Sequence, residues 1–239
     1  MTAFFLHYNF LTLALLFALP GAVIWLVRHD LRRTIICVVP FALPFAFTEF
    51  LFYPSYWEPN FLFDLGQRIG FGIEDFIFVC GLAAFSSTAY AFAFNRRYKP
   101  TDHAGLIFSA LRALGLFVFS GLLFLGAIIA GVAVIYAACF VMVANACVIL
   151  ALRRDLAIPA LLGSCLSTAI YFLLSLAAEK LLPGLFKNVW HTKDFLNIFI
   201  AGVPVEELLY GFSAGFIGTI FYPYVFGRRF IHHIANEGL

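Results

Sequence analysis

Two pairs of neighbouring acidic residues stand 132 positions apart in an otherwise apolar chain. The pairs are Glu74 with Asp75 and Glu206 with Glu207. A carboxyl group near hydrocarbon is costly, and such groups mark functional sites in membrane proteins. Two carboxyl groups close together can divide the roles of acid and base, because a like charge raises the pKa of one of them. The duplicated pattern therefore predicts a functional acidic site, with Glu74, Asp75, Glu206 and Glu207 as its candidate residues.

The acidic pairs belong to a longer internal repeat. Residues 70–97 align without gaps with residues 202–229. In membrane proteins built from repeats, sites tend to lie at the repeat interface. We therefore expect the acids to meet between two similar halves of the molecule. The identical positions are Gly70 and Gly202, Glu74 and Glu206, Tyr90 and Tyr222, Phe94 and Phe226, Arg96 and Arg228, and Arg97 and Arg229.

The composition is that of a helical membrane protein. Hydrophobic residues make up 63% of the 239 residues, charged residues 12%, and the mean hydropathy is +0.97. Soluble domains have about 45–50% apolar and about 25% charged residues, and a spanning helix needs roughly 18 or more apolar residues. The predicted fold is all-α, a polytopic membrane bundle of about seven transmembrane helices. The predicted spans are 4–27, 34–53, 71–94, 106–125, 128–151, 157–179 and 203–227.

These spans divide into three helices, a connector and three helices. We assign 1–97 to the first three-helix repeat, 98–127 to the connector and fourth helix, 128–229 to the second repeat and 230–239 to a cytoplasmic tail. An odd connector gives the two repeats the same orientation, so an axis along the membrane normal should relate them. A tight hairpin is expected within 121–131, because no charge interrupts the long apolar stretch around it.

The distribution of positive charge predicts the orientation. Ten lysine and arginine residues fall on one side of the predicted helices and four on the other. Cytoplasmic loops carry the excess of positive charge. We therefore expect an integral protein of the plasma membrane with its N-terminus outside and its C-terminus in the cytoplasm.

The acids also have a purely structural interpretation. Gly72 and Pro204 stand just before the two helical runs, and acids in a first turn stabilise a helix through its macrodipole. Against this, 33 residues separate Asp194 from Arg228, about 50 Å if all were helical, while the hydrocarbon core is about 30 Å thick. The chain should therefore break near Gly202 and Pro204. A broken backbone at membrane depth is tolerated where it lines a protein cavity.

Aromatic and further acidic side chains are expected around this cavity. The chain has 31 phenylalanines, and aromatic faces attract cations by about 2 kcal/mol or more when desolvated. For each single aromatic residue, simple packing of the bundle is the alternative. The candidate substrate-binding side chains are Glu49, Glu179, Phe78, Tyr210, Trp57 and Trp190.

Several classes of site are excluded by the pattern. The five cysteines form no CxxC pair and fall in apolar runs, which is typical of core residues. The six histidines show no metal-binding spacing, and no phosphate-binding glycine motif is present. We therefore expect no metal, no cofactor and no nucleic-acid partner. The lipid bilayer and an apolar polyene or isoprenoid substrate are the expected partners.

The second acidic motif resembles that of a known enzyme family. Pro204-Val205-Glu206-Glu207 resembles the PxEE motif of membrane-type lycopene β-cyclases, with both repeats fused in one chain. His7-Tyr8, Arg28 and Tyr56-Trp57 also look like that pattern. The first copy departs from it by having Gly72 and Asp75, and Glu49 aligns with an aspartate usual in the family.

The resemblance implies carotenoid biosynthesis by redox-neutral, proton-initiated cyclisation of lycopene-type ends, catalysed by an intramolecular lyase or isomerase. It also implies that Glu206 and Glu207 transfer the protons and that Glu74 and Asp75 complete the cluster. Homo-oligomers and contacts with other carotenoid-pathway enzymes stay open. Two other classes also stay open. One is a proton-coupled transporter of small molecules. An arrangement of three helices, one connector helix and three helices with buried acids is suitable for such a transporter. The other is a membrane protein that binds a carotenoid or isoprenoid without catalysis.

Overall fold

The chain folds into an all-α membrane bundle. The computed structural model describes residue 4, residues 7–101 and residues 105–232. Within these residues seven helical segments are long and apolar enough to cross a membrane. The helices are α1 Asn9–Val27, α2 Arg32–Ala46, α3 Glu49–Phe52, α4 Leu65–Ile69, α5 Ile73–Ala93, α6 Leu106–Ile129, α7 Val134–Leu152, α8 Ala157–Leu181, α9 Leu185–Val189 and α10 Val205–Val225.

Short strands and 3-10 turns complete the described chain. The strands are β1 Arg96–Pro100, β2 Phe199–Ile200, β3 Val203–Pro204 and β4 Arg228–His232. β2 and β3 form a hairpin whose two turn residues, Ala201 and Gly202, both have positive φ. The sequence predicted a break here, because the segment between Asp194 and Arg228 is too long for one spanning helix. The hairpin is that break, and α10 begins directly after it.

Two predicted spans differ in detail from the structure. The predicted span 34–53 is not one straight helix, because α2 ends at Ala46 and α3 starts at Glu49. Pro40 and Pro44 lie in the last two turns of α2 and remove two amide donors from its hydrogen-bond ladder. The predicted hairpin within 121–131 lies at the end of that range, since α6 continues to Ile129 and turns at Gly131.

Helices α5 and α10 lie side by side at the centre of the bundle. α5 also packs against α1 and α2, and α10 against α7 and α8. Small residues allow this close approach: a Cβ atom at Gly215 of α10 would overlap Ser167 of α8, and one at Gly21 of α1 would meet Ala84 of α5. The N-termini of α5 and α10, which carry the acidic pairs, are thereby held next to each other.

Residues at corresponding positions of the two halves meet at both ends of the bundle. At the end that carries the acids, called the acidic end, Trp57 pairs with Trp190 in an antiparallel bridge. At the other end, called the basic end, β1 pairs with β4 so that Tyr98 lies opposite Phe230. A two-fold axis along the helices would place corresponding residues in this way.

The four predicted segment boundaries stay a prediction. Phe230–His232 of the predicted tail form part of β4, and residues 233–239 lie outside the described residues.

Matching arginine contacts close the basic end. The guanidinium of Arg28 donates to the carbonyl oxygen of Arg96 at 2.8 Å, and that of Arg153 donates to the carbonyl oxygen of Arg228 at 3.1 Å. Each of the two arginines also pairs with the aspartate two residues further on. The start of each β-strand is thus tied to the end of a spanning helix, far from the acidic residues.

Candidate active site

All four paired acids lie buried in the first turns of α5 and α10. Glu74 is 0% exposed and Asp75 3%, while Glu206 is 1% and Glu207 6% exposed. The positive end of a helix dipole favours a carboxylate at this position. Stabilisation of a helix start does not by itself explain why all four acids are buried, because an acid in a first turn stabilises the helix equally well in contact with water.

A cavity of about 70 Å³ lies at the acidic end, between the two central helices. Three carboxyl groups line it: Glu49 from α3, Asp75 from α5 and Glu207 from α10. Its walls are otherwise mainly aromatic or aliphatic. Of the predicted substrate-binding residues it contains Glu49, Trp57, Phe78, Trp190 and Tyr210, and its remaining lining includes Phe10, Phe45, Phe52, Tyr56, Ile135 and Tyr171.

The carboxyl group of Glu207 accepts three hydrogen bonds. Oε1 accepts from the Tyr56 hydroxyl at 2.7 Å and from the Trp190 indole at 2.8 Å, and Oε2 accepts from the Tyr171 hydroxyl. An ionised carboxylate only accepts hydrogen bonds, so three donors match that form. Burial raises the pKa of the Tyr56 phenol, and the neighbouring Glu207 raises it further. Tyr56 therefore stays protonated and keeps its role as a donor.

Glu49 and Asp75 face each other in the same cavity. Glu49 Oε1 accepts a hydrogen bond from the Trp57 indole, and Asp75 Oδ2 accepts one from the backbone N–H of Gly72 at 2.6 Å. Both side chains line the cavity, close enough for their charges to interact. Two neighbouring carboxylates repel each other in an apolar site, which favours a state in which one of them carries a proton.

Glu74 and Glu206 have a different environment from their neighbours in sequence. Neither is among the residues that line the cavity. Glu74 Oε1 accepts from the backbone N–H of Leu62, and Glu206 Oε1 accepts from that of Leu196 at 3.0 Å and from the Tyr136 hydroxyl at 3.0 Å. Each acid thus binds the loop that precedes its helix. The second oxygen of each is buried without a hydrogen-bond partner among the described residues.

Glu179 also holds a loop and does not line the cavity. Its carboxyl oxygens accept from the backbone N–H groups of Gly184 at 2.8 Å and Phe186 at 3.2 Å, at the start of α9. The structure therefore brings Glu49, Asp75 and Glu207 together, and it places Glu74, Glu206 and Glu179 around them.

The sequence analysis assigned no role in the site to two residues that bind Glu207, Tyr56 and Tyr171. Tyr171 lies on α8, 36 positions before Glu207, and no local pattern links the two. Tyr56 stands next to Trp57, but nothing in its spacing assigns it to Glu207. Both become partners of Glu207 only through helix packing and the Trp57–Trp190 bridge. Among the described residues, no group of three or more His, Cys, Asp or Glu side chains has the arrangement of a metal site.

Comparison with known families identifies part of the chain. Residues 133–225 match the family model described as lycopene cyclase. The matched segment runs from the start of α7 to the end of α10 and includes Tyr136, Tyr171, Trp190 and the second acidic pair. No curated protein and no solved structure matches the chain.

Proposed function

We propose that the chain cyclises the acyclic ends of lycopene, a role in carotenoid biosynthesis that the match of residues 133–225 to the lycopene cyclase family supports. The reaction would be redox-neutral and would take place in the cavity lined by Glu49, Asp75 and Glu207. The observation that carries the proposal is the presence of three carboxyl groups in one aromatic cavity, two of them close to each other and the third bound by three donors.

The Glu49–Asp75 pair supplies the proton. Because two neighbouring carboxylates repel each other in an apolar cavity, one of the two groups keeps a proton and acts as the acid. The acid transfers its proton to one carbon of the terminal double bond and leaves a tertiary cation on the other. The electrons of the next double bond in reach then attack this cation, which forms the ring carbon–carbon bond and moves the positive charge into the ring.

The anion of Glu207 stabilises that positive charge. It is fixed before the reaction by the hydroxyls of Tyr56 and Tyr171 and the indole of Trp190, so no reorganisation is needed when the cation forms. The aromatic faces of Trp57 and Phe78, which also line the cavity, attract a cation in the same way.

Loss of a ring proton completes the reaction. The carboxylate that donated at the start takes this proton and becomes an acid again. One proton enters and one leaves, so the product is an isomer of the substrate and the site returns to its starting state. Apolar walls keep water from adding to the cation. Glu74 and Glu206 act indirectly, because they hold the loops that precede α5 and α10.

The proposed orientation places this chemistry on the outer side of the plasma membrane. The basic end carries Arg28, Arg96, Arg153 and Arg228, and a positive excess marks the cytoplasmic side. The N-terminus of α1 then lies outside together with the cavity.

Expression in a host that accumulates lycopene tests the function. We expect cyclic products with an altered absorption spectrum, resolved by chromatography. Glu207→Gln should lower conversion by about 100-fold or more, because it removes the negative charge that stabilises the cation. Glu179→Gln is the matched control; Glu179 binds a loop away from the cavity, and this variant should convert lycopene as the wild type does.

The other two classes give different results. Unchanged lycopene that co-purifies with the protein would indicate a carotenoid-binding protein without catalysis. Unchanged lycopene together with proton-dependent uptake of a polar solute into liposomes would indicate a transporter. Either outcome contradicts the proposed cyclisation.

A further inference from the structure

A groove of about 470 Å³ lies between α1, α2 and α5. Its floor is one face of α5, since Ile73, Ile77, Cys80 and Ala84 recur there at helical spacing. Every side chain that lines it is uncharged. None of the described residues lines both this groove and the carboxylate cavity. The groove is therefore a separate feature, which the proposed cyclisation does not use.

The groove extends along most of the bundle. Ile73 is the first residue of α5, at the acidic end, and Ala84 lies about 16 Å further along that helix. A Cβ atom on Gly21 of α1 would meet Ala84, and Trp25 continues the lining about 6 Å beyond Gly21, toward the basic end. The total of about 22 Å compares with about 30 Å for the hydrocarbon core. The groove can therefore hold one extended hydrocarbon chain that starts near the basic end.

A guanidinium group is fixed beside the basic end of this groove. Nε of Arg32, the first residue of α2, donates to the carbonyl oxygen of Trp25 at 2.7 Å, and its Cζ lies 5.5 Å from the centroid of the Trp25 ring. Nη1 and Nη2 of Arg32 have no hydrogen-bond partner among the described residues, and the neighbouring Asp30 is paired with Arg28. These N–H groups form a fork that matches the oxygens of a phosphate.

The second repeat has neither feature at the corresponding positions. The gap-free alignment of the two acidic helices places Phe212 where the groove has Cys80. The ring of Phe212 stacks on that of Phe216 with centroids 5.9 Å apart. The Arg-x-Asp-Leu sequence that follows both α1 and α7 places Ala157 where Arg32 stands. The fold of a repeat therefore requires neither the small side chain nor the cation, which suits a ligand site in the first repeat.

We propose that this groove binds one anionic phospholipid, with an acyl chain along α5 and the phosphate on the guanidinium of Arg32. The lipid belongs to the leaflet at the basic end, which is the inner leaflet in the proposed orientation. Basic pockets between spanning helices on the cytoplasmic side bind anionic lipid head groups. A hydrocarbon chain alone would leave Arg32 without an anion, and a free phosphate would leave the groove empty. A ligand with both parts uses the whole site.

Competition between two lipids tests the charge preference. Phosphatidylglycerol, which is anionic, and phosphatidylcholine, which is zwitterionic, are added with identical acyl chains to the purified full chain in detergent. Native mass spectrometry counts the lipids that stay bound. The wild type should retain one phosphatidylglycerol with a preference of about tenfold or more, as expected for a charge-assisted hydrogen bond to phosphate. Glycerol 3-phosphate, the head group without chains, should not compete.

Two neighbouring arginines separate the site from general surface charge. Arg32→Gln should lower the preference for phosphatidylglycerol to about twofold or less, because the fixed guanidinium is lost. Arg33→Gln is the matched control, since it removes the same charge one residue further on. Arg33 is exposed and lies close enough to Tyr222 of α10 for the two to interact, away from Trp25. It should keep the preference of the wild type.

Two cysteines test the position of the chain. Cys80→Phe places in the groove the ring that Phe212 supplies in the second repeat, and it should lower retention of phosphatidylglycerol by about tenfold. Cys165→Phe on α8 is the matched control, because Cys165 is exposed and lines neither the groove nor the cavity. Its retention should stay within about twofold of the wild type.

Four results would overturn the lipid site. Equal retention of the two lipids by the wild type would exclude the charge preference, and equal losses in Arg32→Gln and Arg33→Gln would reduce it to surface charge. Equal retention in Cys80→Phe and Cys165→Phe would place the acyl chain elsewhere. Displacement of phosphatidylglycerol by added lycopene would assign the groove to the polyene. Conversion of lycopene is measured separately, so the cyclisation stands or falls independently of these results.

Discussion

Trp57 and Trp190 lie opposite each other with ring centroids 4.8 Å apart, and each indole donates to a different carboxyl group. Trp57 donates to Glu49, and Trp190 donates to Glu207. Two residues at corresponding places of the chain therefore hold the two kinds of carboxyl group that the proposed reaction needs, one from the neighbouring pair Glu49 and Asp75 and one that is a fixed anion.

Removing one indole should disturb one carboxyl group only. In Trp190→Phe the carboxylate of Glu207 loses one of three donors, which costs about 1.5–3 kcal/mol for a bond to a charged group. We expect conversion of lycopene to fall by roughly tenfold to a hundredfold. Trp25→Phe, which changes an indole outside the cavity, is the control. Equal activity of Trp190→Phe and Trp25→Phe would contradict a role for the fixed anion.

Glu49 and Asp75 should behave as one unit. Glu49→Gln or Asp75→Asn each removes one member of the pair that supplies the proton, so each alone should abolish cyclisation, and the double variant should be no worse than either. The measurement is product formed per amount of membrane-inserted protein. Independent losses that multiply in the double variant would mean that the two carboxyl groups do not share a role.

Glu206 and Glu207 should respond differently to the same substitution. The side chain of Gln can still accept the hydrogen bonds that Glu206 receives from Leu196 and Tyr136, so Glu206→Gln should keep conversion within about threefold of the wild type. Glu206→Ala leaves the Leu196 N–H and the Tyr136 hydroxyl without their acceptor and should lower stability by about 1–3 kcal/mol. Thermal unfolding and conversion are measured together. Loss of conversion in Glu206→Gln at an unchanged melting temperature would instead assign Glu206 to proton transfer, as the sequence analysis predicted.

Deuterium should enter the product. In cells or membranes transferred to heavy water, each ring formed should gain one deuterium at the protonated carbon, because the carboxyl pair exchanges with solvent between turnovers. Mass spectrometry of the cyclic product measures the gain. A ring formed without any deuterium would exclude protonation by an exchangeable acid.

Close helix packing at the centre should be sensitive to one methyl group. Gly215→Ala would press on Ser167 of the neighbouring helix, and overpacking costs about 1–3 kcal/mol. Gly115→Ala on α6 meets nothing within 4 Å and should be neutral or stabilising by up to about 1 kcal/mol, because alanine favours the helix. Thermal unfolding of both variants in detergent compares the two, and equal stability would contradict the packing at Gly215.

Local properties of the sequence were sufficient to predict most of the architecture. Spanning helices follow from apolar length, and the starts of α5 and α10 follow from Gly or Pro before two acids, since both signals involve neighbouring residues only. The break before α10 was predicted because the segment between Asp194 and Arg228 is too long to cross the bilayer as one helix. The sequence also predicted that the acidic pairs lie in one region, because they occupy equivalent positions of two repeats.

The tertiary structure alone decided which acid of each pair faces the cavity. Adjacent residues on a helix point about 100° apart, so Glu206 and Glu207 cannot both point the same way, and only the packing of α10 between its neighbours selects Glu207. Tyr171 and Glu49 join it through contacts between distant helices and through the break after Ala46. The sequence determines at which positions carboxyl groups lie in the membrane. Helix packing determines which of these groups come into contact, because contact depends on the rotation of each helix about its own axis, and no local sequence pattern specifies that rotation.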